Sequence, residues 1–154
     1  EIIMSSLKIV IESKDDEVFV DLSGFINEDS DFSSLKNLVG NKLIFDLDKI
    51  TLINSCGIRD WIEFQKENLD FKHIVYKKCP QVIIEQMNIV AGFLHPQGVI
   101  ESFYAPYYNE KTDTEVKILL TPQEVINKKA PLKCIDGTEL EFDDIEAQYF
   151  NFIK

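Results

Sequence analysis

Ser55 stands in the run Asn54-Ser55-Cys56-Gly57, between an apolar stretch ending a strand pattern and the first apolar positions of a helical one. Small side chains and free backbone N–H groups at a helix start tolerate or attract negative charge, including a phosphate carried by a serine. The same residue types also serve plain structure, because Asn and Ser are favoured helix N-caps and Gly57 permits close packing. Arg59, the chain's one arginine, follows Ser55 by one helical turn. There it suits a partner's carboxylate or phosphate, or an exposed position beside Glu63.

Other groupings carry less chemistry. Phe45-Asp46-Leu47-Asp48 resembles the Asp-x-Asp of haloacid dehalogenase-type phosphatases, with Asp143-Asp144 as a later acidic pair, which would imply a magnesium-dependent enzyme. The glycine and threonine expected after the second aspartate are Lys49 and Ile50, and two strand patterns precede the motif, so the chain reads as a non-enzyme. Cys56, Cys79 and Cys134 are scattered and odd in number, which predicts a reducing compartment without structural disulfides. Cys56, in the first helical turn, is open to a lowered thiol pKa, although a free cysteine is more often a small apolar residue. His73 and His95 have no acid, cysteine or second histidine at ligand spacing and read as structural, and Trp61 reads as packing.

These residues need a scaffold. Leu7, Ile9 and Ile11, then Val18, Val20 and Leu22, alternate on either side of Ser13-Lys14-Asp15-Asp16 and predict a hairpin. After Ser23-Gly24 the acidic loop Asn27-Glu28-Asp29-Ser30-Asp31 leads to a short helix carrying Phe32, Leu35, Leu38 and Val39, stopped by Gly40-Asn41. Leu43-Ile44-Phe45 reads as a strand covered on both faces, followed by a helix with the stripe Ile58, Trp61, Ile62 and Leu69. Phe71–Lys77 predicts a strand, and Cys79-Pro80 opens a helix with Ile83, Met87 and Val90 buried and Gly92 as its stop. Val99–Tyr104 predicts one further strand. This order implies a mixed β-sheet with parallel crossover units and helices packed on it.

The remainder differs in texture. It offers a tyrosine-bearing turn region over Pro106–Thr114, a short strand over Val116–Leu120, a polar connection over Thr121–Pro131, and an amphipathic helix over Asp143–Lys154. In that helix Ile145, Tyr149, Phe152 and Ile153 share a stripe, Asp143 and Glu146 have capping-box spacing, and Lys154 suits the C-terminal dipole. With so small a core of its own, the segment is expected to dock on the main domain.

Composition narrows the classes of function. The chain has 154 residues, 45% apolar and 28% charged, an ordinary globular balance, and no apolar run near the ~20 residues of a membrane span. A formal net charge of −11 argues against non-specific binding to nucleic acid or an anionic membrane and in favour of a protein partner. Met4 reads as a natural start with no signal peptide, and a cytoplasmic location is expected.

The element order, Gly24 after the hairpin, and Asn54-Ser55-Cys56-Gly57 at the start of the second helix together resemble the STAS domain, the fold of bacterial anti-sigma factor antagonists. The resemblance spans Leu7 to Ala105 and implies a STAS-like domain over residues 4–105. It implies a protein partner, an anti-sigma factor or serine kinase with an ATPase-type fold, and Ser55 as the phosphoacceptor. The partner-binding residues it implies are Asn27, Glu28, Asp29, Asn54, Ser55, Gly57 and Arg59. The family motif is usually Asp-Ser-x-Gly or Asp-Thr-x-Gly, whereas Asn54 replaces the aspartate here. An amide neither accepts a proton as a carboxylate does nor adds negative charge near a kinase-bound magnesium. Two readings therefore stand: a domain switched by phosphorylation, and a constitutive interaction subunit of a signalling or transport assembly.

Residues 106–154 resemble a zinc ribbon that has lost its ligands. The places of two Cys-x-x-Cys pairs read Asn109-Glu110-Lys111-Thr112 and Pro131-Leu132-Lys133-Cys134. One thiol cannot hold a tetrahedral zinc site, so no metal and no cofactor is expected.

Overall fold

The computed structural model describes residues 6–67 and 70–154. Leu69 of the expected helical stripe and the expected start Met4 lie outside the described residues.

Strands β1 (Lys8–Lys14) and β2 (Glu17–Ile26) form the expected hairpin, and β3 (Lys42–Ile53), β4 (His73–Lys77) and β5 (Gly98–Ile100) follow in parallel. The sheet order is β1-β2-β3-β4-β5, with only β1 antiparallel to its neighbour. Right-handed crossovers that step one way across a sheet put their connections on one face. The helices α1 (Ser55–Glu67) and α2 (Gln81–Ile89) belong to those connections. Alternation along the strands turns Val18, Val20, Leu22, Leu43, Phe45, Leu47, Ile74 and Tyr76 to that face, where all are buried. The rings of Trp61 and Phe64 from α1 meet Phe45 edge-on, and Tyr76 stacks on it at 5.3 Å. The other face bears a cross-strand row of Phe19, Ile44, Val75 and Val99, and Val99 is 62% exposed.

Several elements differ from the sequence expectation. Over residues 32–39 only one 3-10 turn forms, Ser33–Leu35, because Asp31 accepts the Ser33 N–H and Asn37 adopts φ 68°, a conformation no helix continues through. Phe32 and Leu35 are the buried anchors, and Val39 is exposed. The strand expected over Val99–Tyr104 is two, since the chain bends at Ser102, whose Oγ accepts the Lys78 N–H and whose carbonyl accepts that of Cys79. The next strand, β6 (Phe103–Asn109), runs through position 105 and takes up the Pro106–Asn109 stretch expected as turn. It pairs with β7 (Thr114–Leu120) on one side and β10 (Glu141–Phe142) on the other; a small hairpin of β8 (Cys134–Ile135) and β9 (Thr138–Glu139) stands apart.

The C-terminal helix is shorter than expected. α3 covers Glu146–Tyr149 and passes into a 3-10 turn over Phe150–Phe152. The Asp143–Glu146 capping box does not form, because the Asp143 N–H extends the sheet to the Pro106 carbonyl and Glu146 accepts the Ala130 N–H at 2.7 Å. Ile145 is exposed, while Tyr149 and Phe150 are buried. The carbonyls at the end of the chain are met by Lys128 rather than Lys154, its ammonium donating to Phe150 at 3.0 Å, Asn151 at 3.2 Å and Ile153. The segment docks on α2 and β6: Asn88 donates to the Tyr149 carbonyl, and the Tyr149 hydroxyl donates to that of Tyr104 at 2.5 Å. Phe103, Tyr107, Leu120, Tyr149 and Phe150 join the same buried cluster as Phe45 and Trp61.

Candidate functional site

The long parallel pairing of β2 with β3 sets the site. Both strands extend beyond β4, with register shifts after Asp21 and Gly24, so the loop leaving Ile26 arrives beside the loop leaving Ile53. The Asn54 N–H donates to the Ile26 carbonyl at 3.1 Å. Helix α1 then starts at Ser55 with its first turn against that loop.

Asn54 is the N-cap. Its Oδ1 accepts the Gly57 N–H at 2.8 Å, satisfying one of the donors a helix start leaves open, and its carbonyl accepts the Ile58 N–H at 2.9 Å. The other end of the carboxamide is also engaged, because Nδ2 donates to Glu28 Oε2 at 2.7 Å. That bond, with a backbone N–H, holds the Glu28 carboxyl below the usual carboxylate range. Glu28 is placed by its loop: Asn27 Oδ1 accepts the Asp29 N–H, Ser30 Oγ accepts the Asn27 N–H, and the Asn27 carbonyl accepts the Ser30 N–H.

Gly57 is buried, and its missing side chain is required by the chain itself. A Cβ there would lie 2.3 Å from the Ile26 carbonyl oxygen and 2.8 Å from the Asn27 nitrogen. The close approach it allows is that of this loop, not of a partner. Ser55 is therefore not the cap. It is the first helical residue, it is exposed, and its hydroxyl enters none of the side-chain hydrogen bonds among the described residues.

No family model, curated protein or solved structure matches the chain. Asn27, Glu28, Asn54 and Ser55 come together at the helix start, with Glu28, Asn54 and Ser55 exposed. Asp29 is exposed on the same loop, turned onto Asn27 through its backbone. Arg59 is exposed one turn along α1, and neither ion pair seen among the described residues includes it. The result is an exposed serine at a positive helix end, a carboxylate bonded to the neighbouring Asn54, and a guanidinium on the same helix.

The remaining candidates are placed elsewhere. Asp46 and Asp48 lie within β3, which continues to Ile53, and Asp46 Oδ1 accepts the Asp48 N–H at 3.0 Å. Cys79 is fully buried, and burial raises its thiol pKa far above the ordinary range. Cys56 is half-buried and Cys134 is exposed. Trp61 is fully buried, its indole N–H on the Phe93 carbonyl at 2.8 Å, so it offers no face to a partner. His73 is exposed, and His95 Nδ1 accepts the Gln97 N–H at 3.1 Å.

At the zinc-ribbon-like positions the residues do not fit a metal. Buried Asn109 accepts the N–H groups of Lys111 and Thr112 at 3.1 and 3.4 Å, closing its turn by itself. Among the described residues no group of three or more His, Cys, Asp or Glu side chains is placed to hold an ion, and no helix is long and apolar enough to cross a membrane.

Two features escaped sequence reasoning. The Asn54–Glu28 bond joins residues 26 positions apart, and the signal available was the favoured-cap identity of Asn54 beside an acidic loop. The buried Gln65, fully enclosed and accepting the Tyr76 hydroxyl, sits where a helix stripe predicts an apolar residue. Nothing in the sequence marks it.

Proposed function

We propose that the chain is a regulatory protein-binding domain whose partner docks on the α1 start, at Asn27, Glu28, Asn54, Ser55 and Arg59. The partner is a kinase of the ATPase-type fold, and phosphorylation of Ser55 releases it. The observation that carries this reading is the exposed Ser55 hydroxyl, free of the capping role that Asn54 performs. The resemblance to STAS domains supplies the class of partner.

Phosphorylation adds about −1.5 to −2 charges and three acceptor oxygens to a surface that docking must desolvate. The helix end tolerates that charge within the free domain, while an interface built for a neutral hydroxyl does not. In the proposed reaction Ser55 Oγ attacks the γ-phosphorus of ATP, the bond from that phosphorus to the bridging oxygen breaks and ADP leaves, and the hydroxyl proton passes to a base. Asn54 cannot be that base, and Glu28, held against Asn54, returns a carboxylate to its side.

The test is retention of partners from lysate of the native organism by wild type, Ser55→Ala and Ser55→Asp, with phosphate mapped on the Ser55 peptide. The reading expects an ATPase-fold protein on wild type and Ser55→Ala, at least about tenfold weaker retention on Ser55→Asp, and phosphate at Ser55. Equal retention by all three, without phosphate, would make the domain a constitutive binding subunit instead.

A further inference from the structure

The main sheet has one edge built to receive another strand. The β1–β2 hairpin turns through Asp15 and Asp16, at φ 52° and 63°, the two-residue type I′ loop whose flanking residues form a hydrogen-bonded pair. Counting back from Lys14 opposite Glu17, the pairs Glu12–Phe19, Val10–Asp21 and Lys8–Ser23 are also of the hydrogen-bonded kind. Ile9, Ile11 and Ser13 therefore turn their N–H and C=O groups away from β2. Among the described residues no strand lies on that side.

The side chains of β1 are two-faced. Ile9 and Ile11 stand opposite buried Leu22 and Val20 on the helix-bearing face and are themselves half-covered. Lys8, Val10 and Glu12 stand on the opposite face, all three exposed, with Val10 at 49%. Such an edge usually invites uncontrolled pairing, which proteins block with misplaced charge, proline or a bulge. The charges of β1 instead suit one arrangement.

We infer that β1 pairs antiparallel with β1 of a second copy, about a two-fold axis through Val10. In this register Ile9 and Ile11 exchange hydrogen bonds with Ile11 and Ile9 of the second copy, using the groups that face outward. Val10 meets Val10 at the close spacing of a non-hydrogen-bonded pair, and Lys8 faces Glu12 of the second copy twice over. The neighbouring registers that keep outward groups opposed are worse. Centring on Ile11 sets Lys8 against Lys14 and Val10 against Glu12; centring on Glu12 sets Glu12 against itself; centring on Ile9 leaves Lys8 against Val10. Centring on Ser13 sets Glu12 against Lys14 but overlaps only three residues of each strand; of the registers that overlap five residues or more, only the one about Val10 brings opposite charges together, so overlap and charge fix the register. The far edge, β5, is three residues long, and the assembly closes as a dimer with one sheet running through both copies.

Charge reversal tests it, read by sedimentation of the full chain across a wide range of concentration. Wild type is expected to pass from monomer to dimer. Lys8→Glu or Glu12→Lys alone, which sets like charges opposite at two places, is expected to weaken association at least about tenfold, and the double variant to restore it. Both residues are exposed in the single chain, so far-UV circular dichroism should show each variant folded. Amide exchange supplies the second readout: Ile9 and Ile11 should be protected in concentrated protein and lose protection on dilution. A wild type that stays monomeric, single variants that still dimerise, a double variant that does not recover, or concentration-independent protection of those amides would each overturn the inference.

Discussion

Asn54 holds Glu28 and caps α1 with one carboxamide, its Nδ2 at 2.7 Å from the Glu28 carboxylate and its Oδ1 at 2.8 Å from the Gly57 N–H. The two ends cannot be kept together by the aspartate that the STAS motif usually carries. Asn54→Asp retains the cap and adds a charge favourable at the helix end by ~0.3–1 kcal/mol, but it loses the donor and sets two carboxylates side by side. The Glu28 pKa, held low in wild type, is expected to rise above the ordinary glutamate value in this variant, followed by carboxyl NMR titration. In wild type Glu28 contributes stability above the ordinary carboxyl pKa that fades as pH falls through its lowered value, and in Asn54→Asp that contribution is gone. Asn54→Ala loses the cap as well, at a cost of about 1 kcal/mol in chemical denaturation.

Gly57→Ala sets propensity against packing. In an exposed helix the change favours the helix by ~0.8–1 kcal/mol. Here the added Cβ falls 2.3 Å from the Ile26 carbonyl oxygen, a backbone atom tied to the Asn54 N–H, so relief requires the loop and the helix start to part. Net destabilisation of ~1–3 kcal/mol is expected. A stability equal to or above wild type in urea unfolding would show that the two segments are not in contact.

His95 makes a pH-dependent contribution. Its backbone N–H donates to the Tyr76 hydroxyl, its Nδ1 accepts the Gln97 N–H, and desolvation lowers its pKa below the ordinary imidazole value. The native state thus binds fewer protons than the unfolded chain. Stability is lost as pH falls below about 6.5 and levels off below the lowered native value. Thermal unfolding between neutral and mildly acid pH should show this slope, and His95→Gln should flatten it.

The strands were legible because their alternation is strict: Val18, Val20 and Leu22, then Leu43, Phe45 and Leu47, each place one face in the core. The position of Ser55 between a buried strand and an amphipathic helix followed from the same pattern. Its neighbours did not. Glu28 reaches Asn54 only because β2 and β3 pair in parallel with two register shifts, information carried by the partner strand rather than by either segment. The resemblance implies Gly57 as a partner contact, and sequence cannot tell an approach by another protein from one by the chain's own Ile26. The tail failed for a related reason. Local spacing favours one long helix from Asp143, yet Pro106 and Ala130, distant in sequence, claim the Asp143 N–H and the Glu146 carboxylate.

Lys128 ties the carbonyl end of that tail with three hydrogen bonds. It lies in a tight turn closed by the Lys129 N–H on the Ile126 carbonyl, with Asn127 and Lys128 at φ 54° and 59°, and its ammonium reaches the carbonyls of Phe150, Asn151 and Ile153. A cation on the carbonyls of the last turn, where that of Phe150 also accepts the Ile153 N–H at 3.0 Å, gives those acceptors a partner and opposes the local dipole. Lys128→Met keeps the apolar stem and removes the donor. Hydrogen bonds to a charged group contribute ~1.5–3 kcal/mol, but water partly replaces the ammonium at this half-buried site, so a loss of about 1–2 kcal/mol is expected. The loss should be local first. Amide exchange over residues 146–153 should accelerate before that of β3, since Tyr149 and Phe150 anchor the segment to the core while the carbonyl end depends on Lys128. Uniform acceleration across the chain would mean instead that the tail unfolds only with the sheet, and that Tyr149 and Phe150 suffice to hold it.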